Sequence, residues 1–410
     1  MKLHFCRHCM SSMHKVFLDL GHAPPSNAYF WPELLNKPEI TFPLRLRVCE
    51  NCWLVQTEDF TEVELLFDAH YAYFSSTSID WLDHAARYTA AIIERLELGC
   101  DSHVIEVACN DGYLLKNFVA AKIPCLGIEP TEGTAAAAEK LGIPVLREFF
   151  SYQVGQQLAA AGQAADLIVG NNVYAHVPDI NDFTLGLAAV LKPNGVVTLE
   201  FPHLMKLVEF CQFDTVYHEH FSYFSLLTVS RIFSAAGLRV FDVEELPTHG
   251  GSLRVYGCRT NGSHEETPAV RAMVVAECES GMDRSAFYNG FQSRVDAAKH
   301  DLLRFLLNAK REGKTVAGYG AAAKGNTLLN YAGVKPDLLP FICDAATSKQ
   351  GKLMPGSHIP IVSPEVFNRS VPDYVLILPW NIADEITHQL AHISDAGKRF
   401  VTAIPKVRVL

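Results

Sequence analysis

Apolar and polar residues follow one another in blocks that predict two regions of repeating strands and helices. Between about residues 80 and 240, an amphipathic stretch over 81–98 precedes an apolar run at 103–107, and apolar runs then alternate with helical patterns. The alternation restarts after Lys314, with apolar runs at 315–318, 339–343, 374–378 and 400–404. Because strands that alternate with helices form parallel sheets, we predict two doubly wound α/β sheets.

The remaining residues form an N-terminal segment and a connecting segment. The first 65 residues are rich in Cys and His and are interrupted by prolines, which is too broken a pattern for a self-sufficient apolar core. Residues 281–312 carry apolar side chains at steps of three and four, which predicts a long helix that either bridges two domains or lies in the core of the second. The predicted regions are 1–65, 66–240, 241–313 and 314–410.

Two cysteine pairs predict how the N-terminal segment is held together. Cys6 and Cys9 form one C-x-x-C pair, and Cys49 and Cys52 form a second. Four thiolates at this spacing can surround one Zn²⁺ tetrahedrally, whereas a redox C-x-x-C motif needs a βαβ context that this segment lacks. Since four sulfur ligands leave no open coordination position, we predict a structural zinc ion rather than a catalytic one.

Acidic and amide residues follow the strands of the first predicted sheet. Glu106 lies in the first strand, and Asn110, Asp111 and Gly112 form the loop that opens the next helix. Such a loop lets a ligand approach the backbone beside the positive N-terminus of a helix. Glu129 ends the second strand, where a carboxylate can accept hydrogen bonds from both hydroxyls of a ribose. We therefore predict a nucleoside-type ligand at this edge of the sheet.

Residues after the third strand favour a methyl donor over a nicotinamide dinucleotide as that ligand. Asn171 and Asn172 end the strand and His176 follows them, in a series that resembles the motifs of class I S-adenosylmethionine-dependent methyltransferases. Ala108 and Asn110 stand where that series usually has glycines, so the contacts of the loop are expected to differ. A nicotinamide cofactor remains the competing interpretation.

The segment Thr215-Val-Tyr-His-Glu-His-Phe-Ser-Tyr-Phe224 is dense in groups that can carry protons. Histidine is the most useful general base near neutral pH, and a neighbouring carboxylate or phenol can orient or tune it. His218 and His220 could instead be buried histidines with satisfied nitrogens, or an H-x-H metal pair without an evident third ligand. Taken alone, Tyr71 is better explained as a packing aromatic residue.

A glycine-rich loop opens the second predicted sheet. Gly318 and Gly320 follow its first strand, so backbone N–H groups can face a diphosphate while Lys324 adds positive charge. A packed structural turn is the alternative. Four other residues could face the same anion or could be ordinary surface residues: Gly250, Gly251, Arg254 and Lys352.

Composition and charge narrow the classes of partner. Hydrophobic residues make up 49% of the 410 residues and charged residues 20%, as in ordinary folded proteins. The formal net charge of −10 and the lack of a basic run exclude a nucleic-acid footprint. No apolar stretch approaches the roughly 18 residues needed to span a bilayer, and residues 1–10 lack the apolar core of a signal peptide. We expect a cytoplasmic protein with reduced thiols and no membrane partner.

These motifs, taken in their order along the chain, resemble one family. The two cysteine pairs, the Tyr71 segment, the Glu106 loop, the Asn171 segment, Tyr217-His-Glu-His-Phe221 and the second glycine loop follow the order seen in zinc-containing sugar C-methyltransferases that act on TDP-linked 4-keto-deoxysugars. The resemblance covers nearly the whole chain. It implies an α/β fold with a class I methyltransferase Rossmann-like domain, a second C-terminal Rossmann-like domain and a small N-terminal zinc-binding domain.

The same resemblance implies a reaction and roles for individual residues. S-adenosylmethionine would donate a methyl group to C3 of a nucleotide sugar, beside the C4 ketone that acidifies the C3 hydrogen. By resemblance His220 is the general base, and Glu219 orients or tunes it. Tyr217, Tyr71 and His176 are candidates for hydrogen bonds to the sugar or to its enolate oxygen. The oligomeric state stays open, and a monomer is compatible with the sequence.

Two other functions compete with this interpretation. An NAD-dependent nucleotide-sugar oxidoreductase or epimerase would use the C-terminal glycine loop and leave the first sheet structural. A zinc-stapled module that binds a nucleotide sugar without turning it over would need no Tyr-His-Glu-His block, and the presence of that block argues for an enzyme.

Overall fold

The computed structural model describes residues 4–59, 74–370 and 372–410, and its strands form three sheets. In chain order the strands are β1 (Lys15–Ala23), β2 (Phe42–Val48), β3 (Val55–Thr57), β4 (Val104–Val107), β5 (Cys125–Ile128), β6 (Val145–Leu146), β7 (Ala165–Asn171), β8 (Leu191–Pro202), β9 (Ser222–Tyr223), β10 (Leu238–Leu246), β11 (Ser252–Arg259), β12 (Val316–Tyr319), β13 (Ile342–Cys343), β14 (Ile361–Val362), β15 (Tyr374–Ile377), β16 (Arg399–Thr402) and β17 (Arg408–Val409). The helices are α1 (Ile79–Leu96), α2 (Leu115–Ala120), α3 (Glu132–Lys140), α4 (Tyr152–Ala160), α5 (Ile180–Val190), α6 (Leu204–Glu209), α7 (Leu226–Ala235), α8 (Pro268–Glu279), α9 (Phe291–Arg311), α10 (Ala323–Ala332), α11 (Pro364–Ser370), α12 (Ala383–Gln389) and α13 (Ala391–Asp395).

The N-terminal sheet is antiparallel and has the order β1-β2-β3-β9. Its fourth strand comes from the middle of the chain, where Tyr223 pairs with Val55. Because β9 follows the Tyr-His-Glu-His block directly, this sheet is joined by backbone hydrogen bonds to the segment that carries the predicted general base.

The middle sheet has the order β10-β11-β8-β7-β4-β5-β6, and β11 runs antiparallel to both of its neighbours. The remaining pairs are parallel, which gives the predicted class I methyltransferase arrangement. The sheet extends past residue 240, because the short connection 247–251 turns β10 back into β11. Residues up to Arg259 therefore belong to this sheet rather than to the predicted connecting segment.

The C-terminal sheet has the order β14-β13-β12-β15-β16-β17, with β17 as an antiparallel edge strand. The other pairs are parallel, as predicted for a second Rossmann-like domain. The order reverses between β12 and β15, so the loops after these two strands flank the crevice in which ligands bind in such sheets.

Helix α9 connects the N-terminal and C-terminal sheets. It begins at Phe291 rather than near residue 281, because a short turn over Ser285–Tyr288 and a left-handed Gly290 (φ 77°) precede it. Phe17 of β1 stacks on Phe291 with 4.9 Å between the ring centroids. One apolar core runs from β1 through the buried face of α9 to α10 and the C-terminal sheet. The helix therefore bridges two domains, which was one of the two interpretations of its sequence.

A helix that crosses a lipid bilayer must be both long and apolar. In the part of the chain that the structure describes, no helix is both long enough and apolar enough to cross a membrane.

Candidate active site

The four predicted zinc ligands converge in the N-terminal region. The Sγ atoms of Cys6, Cys9, Cys49 and Cys52 all lie within 4.8 Å of one another, and all four are free thiols. Cys6 and Cys52 are 3.4 Å apart at Sγ, and Cys9 and Cys49 are 3.5 Å apart. Because tetrahedral Zn–S bonds of about 2.3 Å separate the sulfurs by about 3.8 Å, this donor set fits zinc. All four positions are filled by protein, so the ion has a structural role.

The zinc site is fastened to the segment after the predicted base. Arg7, between the first two cysteines, donates to the carbonyl oxygens of Phe221 (3.3 Å) and Pro178 (3.0 Å). Its guanidinium also lies 5.0 Å from the centroid of the Phe221 ring. The zinc knuckle therefore supports the end of the Tyr-His-Glu-His-Phe block at Phe221 and the segment after His176 at Pro178.

The loop after β4 has the backbone shape of a nucleoside site even without the usual glycines. Ala108 (φ 57°) and Asn110 (φ 51°) adopt the left-handed conformation, and Gly112 (φ 79°) has Ile143 where a Cβ would lie. Asparagine visits this conformation readily, whereas for alanine it costs about 1–2 kcal/mol. The loop thus keeps its turn at the expense of strain at Ala108, as is common where a backbone is shaped for a ligand.

Glu129 lies at the end of β5, as predicted, and holds the same loop. Its Oε2 accepts a hydrogen bond from the backbone N–H of Asn110 (3.0 Å), and its Oε1 accepts one from Thr131 (2.9 Å). Each carboxylate oxygen has a second lone pair. Glu129 can therefore hold the loop and still accept hydrogen bonds from a ribose.

Buried polar atoms around this loop lack partners. Both carboxylate oxygens of Glu106, Oδ1 of Asp111, the side-chain amide of Asn171 and Oδ1 of Asn172 have no hydrogen bond of ordinary geometry within the described ranges. Burial, together with the carboxylates of Asp111 and Glu129, raises the pKa of Glu106 well above its ordinary value. Such orphaned groups are rare in folded proteins and point to a missing ligand. A cationic, hydroxyl-bearing molecule such as S-adenosylmethionine fits them.

The strand that ends in the two asparagines also delivers His176 to this edge. β7 ends at Asn171, and the left-handed Asn172 (φ 53°) leads into a short turn over Tyr174–His176. β7 lies beside β4 in the parallel sheet, so the loops after both strands meet at one edge. His176 therefore lies next to the predicted methyl-donor site.

His176 and His220 form a pair whose tautomers are set by backbone carbonyls. Their ring centroids are 4.7 Å apart. Nδ1 of His220 is 3.0 Å from the carbonyl oxygen of Thr215, and Nδ1 of His176 is 2.8 Å from that of Glu219. Because a carbonyl oxygen can only accept, both Nδ1 atoms carry the proton and both Nε2 atoms carry a lone pair.

Burial keeps both imidazoles neutral. It lowers the pKa of His176 to about 4. Burial and the neighbouring His176 lower the pKa of His220 well below its ordinary value, and Lys324 acts in the same direction. A neutral His220 can therefore accept a proton at Nε2 at neutral pH.

Glu219 does not have the contact that was expected of it. Its carboxylate accepts a hydrogen bond from the side-chain amide of Asn27 (3.2 Å), and the described residues show no hydrogen bond between that carboxylate and His220. The carbonyl of Thr215 orients His220 instead. Burial raises the pKa of Glu219 to about 7, so this carboxyl group changes its charge near neutral pH.

Tyr217 and His218 flank Glu219 and His220 in the chain but have different surroundings in the structure. The Tyr217 ring packs on His220 with 4.0 Å between centroids. His218 faces Phe42, and no other set of three metal-ligating side chains besides the four cysteines is found in the described ranges, so an H-x-H metal pair is not supported. Tyr71 lies outside the described residues, and its role stays a prediction.

Arg254 was a candidate contact for the anion, but in the structure its guanidinium has partners inside the middle domain. Its guanidinium donates to Glu200 (2.8 Å), its partner in the register of β11 on β8, and lies 4.4 Å from the ring centroid of Tyr88. His84 and Arg254 lower the pKa of Glu200 to about 2, although burial alone would raise it. The charge of Arg254 is thus neutralised inside the middle domain.

Gly250 and Gly251 occupy positions where the backbone requires glycine. Both have positive φ angles (87° and 119°), and a Cβ on Gly250 would collide with the indole of Trp380. A Cβ on Gly251 would meet Lys206. These glycines let the C-terminal domain approach the loop between β10 and β11.

The second glycine loop has the predicted form. Gly320 (φ 84°) packs so closely on Pro379, after β15, that a Cβ would not fit, and Gly318 does the same against Ile342. Lys324, in the first turn of α10, donates from Nζ to Asn381 Oδ1 (2.6 Å) and lies 4.8 Å from the centroid of the Trp380 ring. A cation at the switch point of this sheet suits a diphosphate.

The N-terminal segment contributes residues that the sequence interpretation missed. Asn27 reaches Glu219, and Tyr29 donates to the carbonyl of Ala321 in the glycine loop (2.7 Å). Lys349 donates to the same carbonyl, whereas the predicted Lys352 lies 5.5 Å from the ring centroid of Trp31. The available sequence signal for Asn27 was its position as a polar residue just after Pro24 and Pro25. Its contact with Glu219 could not be predicted from sequence spacing, because the two residues are far apart in the chain.

Family models match three consecutive parts of the chain. A zinc binding domain matches residues 6–67, a methyltransferase domain matches 81–243, and a C-methyltransferase C-terminal domain matches 247–405. The C-methyltransferase NovU of Streptomyces niveus is 35% identical to this chain, over 99% of this chain and 96% of the relative.

More distant matches are confined to part of the chain. The ubiquinone biosynthesis O-methyltransferase of Rhizobium rhizogenes is 24% identical over 51% of this chain and 73% of its own length. Among solved structures, magnesium protoporphyrin IX methyltransferase from Synechocystis with bound SAM is 14% identical with a TM-score of 0.33, and covers 44% of this chain and 78% of its own.

Fold, site and full-length similarity thus agree. The middle sheet carries a methyl-donor loop with orphaned polar groups, and the N-terminal region carries a four-cysteine zinc site. The full-length relative and the C-terminal model share one activity, the transfer of a methyl group to carbon. This chain belongs to the zinc-containing, S-adenosylmethionine-dependent C-methyltransferases.

Proposed function

We propose that this enzyme methylates C3 of a TDP-linked 4-keto-deoxysugar, with His220 as the general base. The observation that carries the proposal is the tautomer of His220. Its Nδ1–H is held by the carbonyl of Thr215, so a neutral Nε2 is available to accept a proton, and Lys324 is near enough for its charge to act on the imidazole. A base of this kind is what the removal of a proton beside a ketone requires.

The proposed reaction begins with proton transfer to His220. Nε2 accepts the proton from C3, the electrons of the C–H bond form a C3–C4 double bond, and the C4 carbonyl becomes an enolate oxygen. Bound S-adenosylmethionine supplies an electrophilic methyl group on a sulfonium ion. The enolate carbon takes this methyl, the sulfur leaves as a neutral thioether, and the C4 ketone re-forms. The proton on His220 then passes to solvent.

The tautomer of His176 limits the role that this residue can have beside His220. The only N–H of a neutral His176 is bonded to the carbonyl of Glu219, so this residue has no N–H to donate to an enolate. A donor is still required for the enolate oxygen. We assign that donation to Tyr217, which packs on His220, with Tyr71 as a second candidate.

The nucleotide half of the substrate is assigned to the C-terminal domain. The glycine loop leads into the N-terminal turn of α10, which carries Lys324 at the switch point of the sheet. Lys324 lies close enough to His220 for its charge to act on the imidazole, which supports a substrate that extends from one to the other. The NAD-dependent alternative has no such support, because the C-terminal match is to a C-methyltransferase domain.

Solvent exchange at C3 tests the base without methyl transfer. The enzyme is incubated in D₂O with a TDP-4-keto-deoxysugar and no methyl donor, and deuterium at C3 is followed by NMR. We expect exchange with the wild-type enzyme and a loss of at least about 100-fold in His220→Asn.

The matched control is His392→Asn, which removes an exposed histidine bonded to Asn368. It should exchange at the wild-type rate. Exchange by His220→Asn at the wild-type rate, with an unchanged circular dichroism spectrum, would show that another group is the base.

A further inference from the structure

The segment before the catalytic block contacts the C-terminal domain through one buried carboxylate. Asp214 lies in a short turn, Phe213–Thr215, and is fully buried. Its Oδ2 accepts a hydrogen bond from the indole N–H of Trp380 (2.7 Å), while Oδ1 has no partner within the described ranges. Burying a carboxylate with only one hydrogen-bond donor costs free energy, and a purely structural contact would not require it.

The same turn supports the general base. The residue after Asp214 is Thr215, whose carbonyl oxygen accepts the Nδ1–H of His220. One residue further, the carbonyl of Val216 accepts a hydrogen bond from Thr327 in α10 (2.8 Å). The helix that follows the glycine loop is therefore bonded directly to the segment that orients His220.

Trp380 connects the turn to the proposed diphosphate site. Its ring lies on Gly250, where no side chain would fit, and beneath the ammonium of Lys324 at 4.8 Å. Lys324 is bonded to the neighbouring Asn381. Asp214, Trp380 and Lys324 thus form one cluster, in which the carboxylate supplies the negative charge.

We propose that Asp214 is a positioning residue for methyl transfer, whose carboxylate fixes Lys324 toward the diphosphate and the Thr215 carbonyl toward His220. The inference rests on the proposed function, because it assumes a nucleotide diphosphate at Lys324. A single buried charge would then set both the pH range over which the nucleotide binds and the placement of the base.

The charge of Asp214 can be distinguished from a mere packing role, because only the charge acts on the pKa of Lys324. Burial lowers the pKa of Lys324, and Asp214 opposes this. Burial raises the pKa of Asp214 to about 6, so it is ionised above pH 7. The other titratable groups near Lys324 are His220 and His249, both with pKa values lowered by burial and therefore neutral above pH 7. Asp214 is the acidic group that keeps Lys324 protonated.

The test is the affinity for TDP alone, measured by calorimetry between pH 7 and pH 9.5. Asp214→Asn keeps an oxygen for Trp380 but removes the charge. We expect near wild-type affinity at pH 7, a loss that begins about one pH unit lower than in the wild type, and a kcat for methyl transfer about tenfold lower at pH 8. Trp380→Phe keeps the ring but removes the donor, and should shift the TDP curve in the same direction.

The matched control is Asp373→Asn, which removes a carboxylate bonded to Thr315 and Lys398 at the opposite edge of the C-terminal sheet. Its TDP curve should superimpose on that of the wild type. An Asp214→Asn curve that is unshifted, or lower by one factor at every pH, would overturn the positioning role. A wild-type enzyme that binds no TDP would overturn the proposed function, and this inference with it.

Discussion

Two loops of this molecule have the same place in their sheets but differ in the charged side chains around them. Each follows the first strand of a doubly wound sheet and opens a helix. The loop after β4 is surrounded by Glu106, Asp111 and Glu129, with orphaned oxygens and a raised pKa at Glu106. The loop after β12 leads to Lys324 in α10, and the carboxylate of Asp344, after β13, accepts a hydrogen bond from its backbone N–H at Ala321 (2.7 Å).

The contrast shows how two domains of similar architecture can bind different ligands. Acidic groups suit a cationic sulfonium and ribose hydroxyls, which donate hydrogen bonds, whereas N–H groups and an ammonium suit a diphosphate, which accepts them. Backbone shape is common to both loops and does not distinguish them. The side chains around each loop do so: three carboxylates surround the loop after β4, whereas Lys324 and Asp344 lie at the loop after β12.

Glu129→Ala should give the largest separation of the two sites. We expect the affinity for S-adenosylmethionine to fall about 100-fold, because hydrogen bonds to a carboxylate contribute about 1.5–3 kcal/mol each. Affinity for TDP should stay within twofold. Calorimetry with each ligand measures both, and Glu139→Gln, which alters an exposed partner of Arg147, is the control. Equal losses for both ligands would mean that the loops are not independent.

Lys324→Met should give a smaller effect with the opposite selectivity. The affinity for TDP should fall about 10- to 30-fold through the loss of a charge-assisted contact, and the affinity for S-adenosylmethionine should not change. Lys398→Met, beside Asp373, is the control. If TDP binding survives in Lys324→Met, the diphosphate lies elsewhere.

Glu219→Gln should have the smallest effect, and one that depends on pH. The pKa of Glu219 is raised to about 7, so its negative charge appears above that pH and favours the imidazolium that forms on His220. In kcat profiles we expect the wild-type rate to rise through pH 7 and the variant to lack this rise, with a deficit of about fivefold at pH 8.5 and little at pH 6.

Stability supplies an independent check on the same variant. Because the folded-state pKa of Glu219 is above its unfolded value, the wild-type protein loses stability as pH rises from about 4.5 to 7. Thermal unfolding should therefore show the variant more stable than the wild type at pH 8 and equally stable at pH 4.5. A variant that is less stable at pH 8 would contradict the burial of an ionising carboxyl group at this position.

The sequence was sufficient where the signal is local. The C-x-x-C spacing gives the zinc ligands, and the apolar runs give the parallel strands on which Glu106, Glu129 and Asn171 lie. The family resemblance adds His220 as the predicted base. In the structure its Nδ1–H is bonded to the carbonyl of Thr215, which leaves Nε2 as the proton acceptor.

Long-range contacts could not be predicted in this way. Arg254 is bonded to Glu200 because β11 turns back antiparallel, whereas a pattern of alternating strands and helices predicts parallel strands only. Asn27 and Trp380 act on residues more than 150 positions away. The left-handed Ala108 contradicts local preference, because the surrounding fold determines the shape of that loop.

The most direct test of the central claim is mass spectrometry of TDP-4-keto-deoxysugars incubated with the enzyme and S-adenosylmethionine, with the position of the new group located by NMR. The account predicts the gain of one methyl group, on C3. A methyl group on oxygen or on another carbon, or no product from a panel of such sugars although both S-adenosylmethionine and TDP bind, would contradict it.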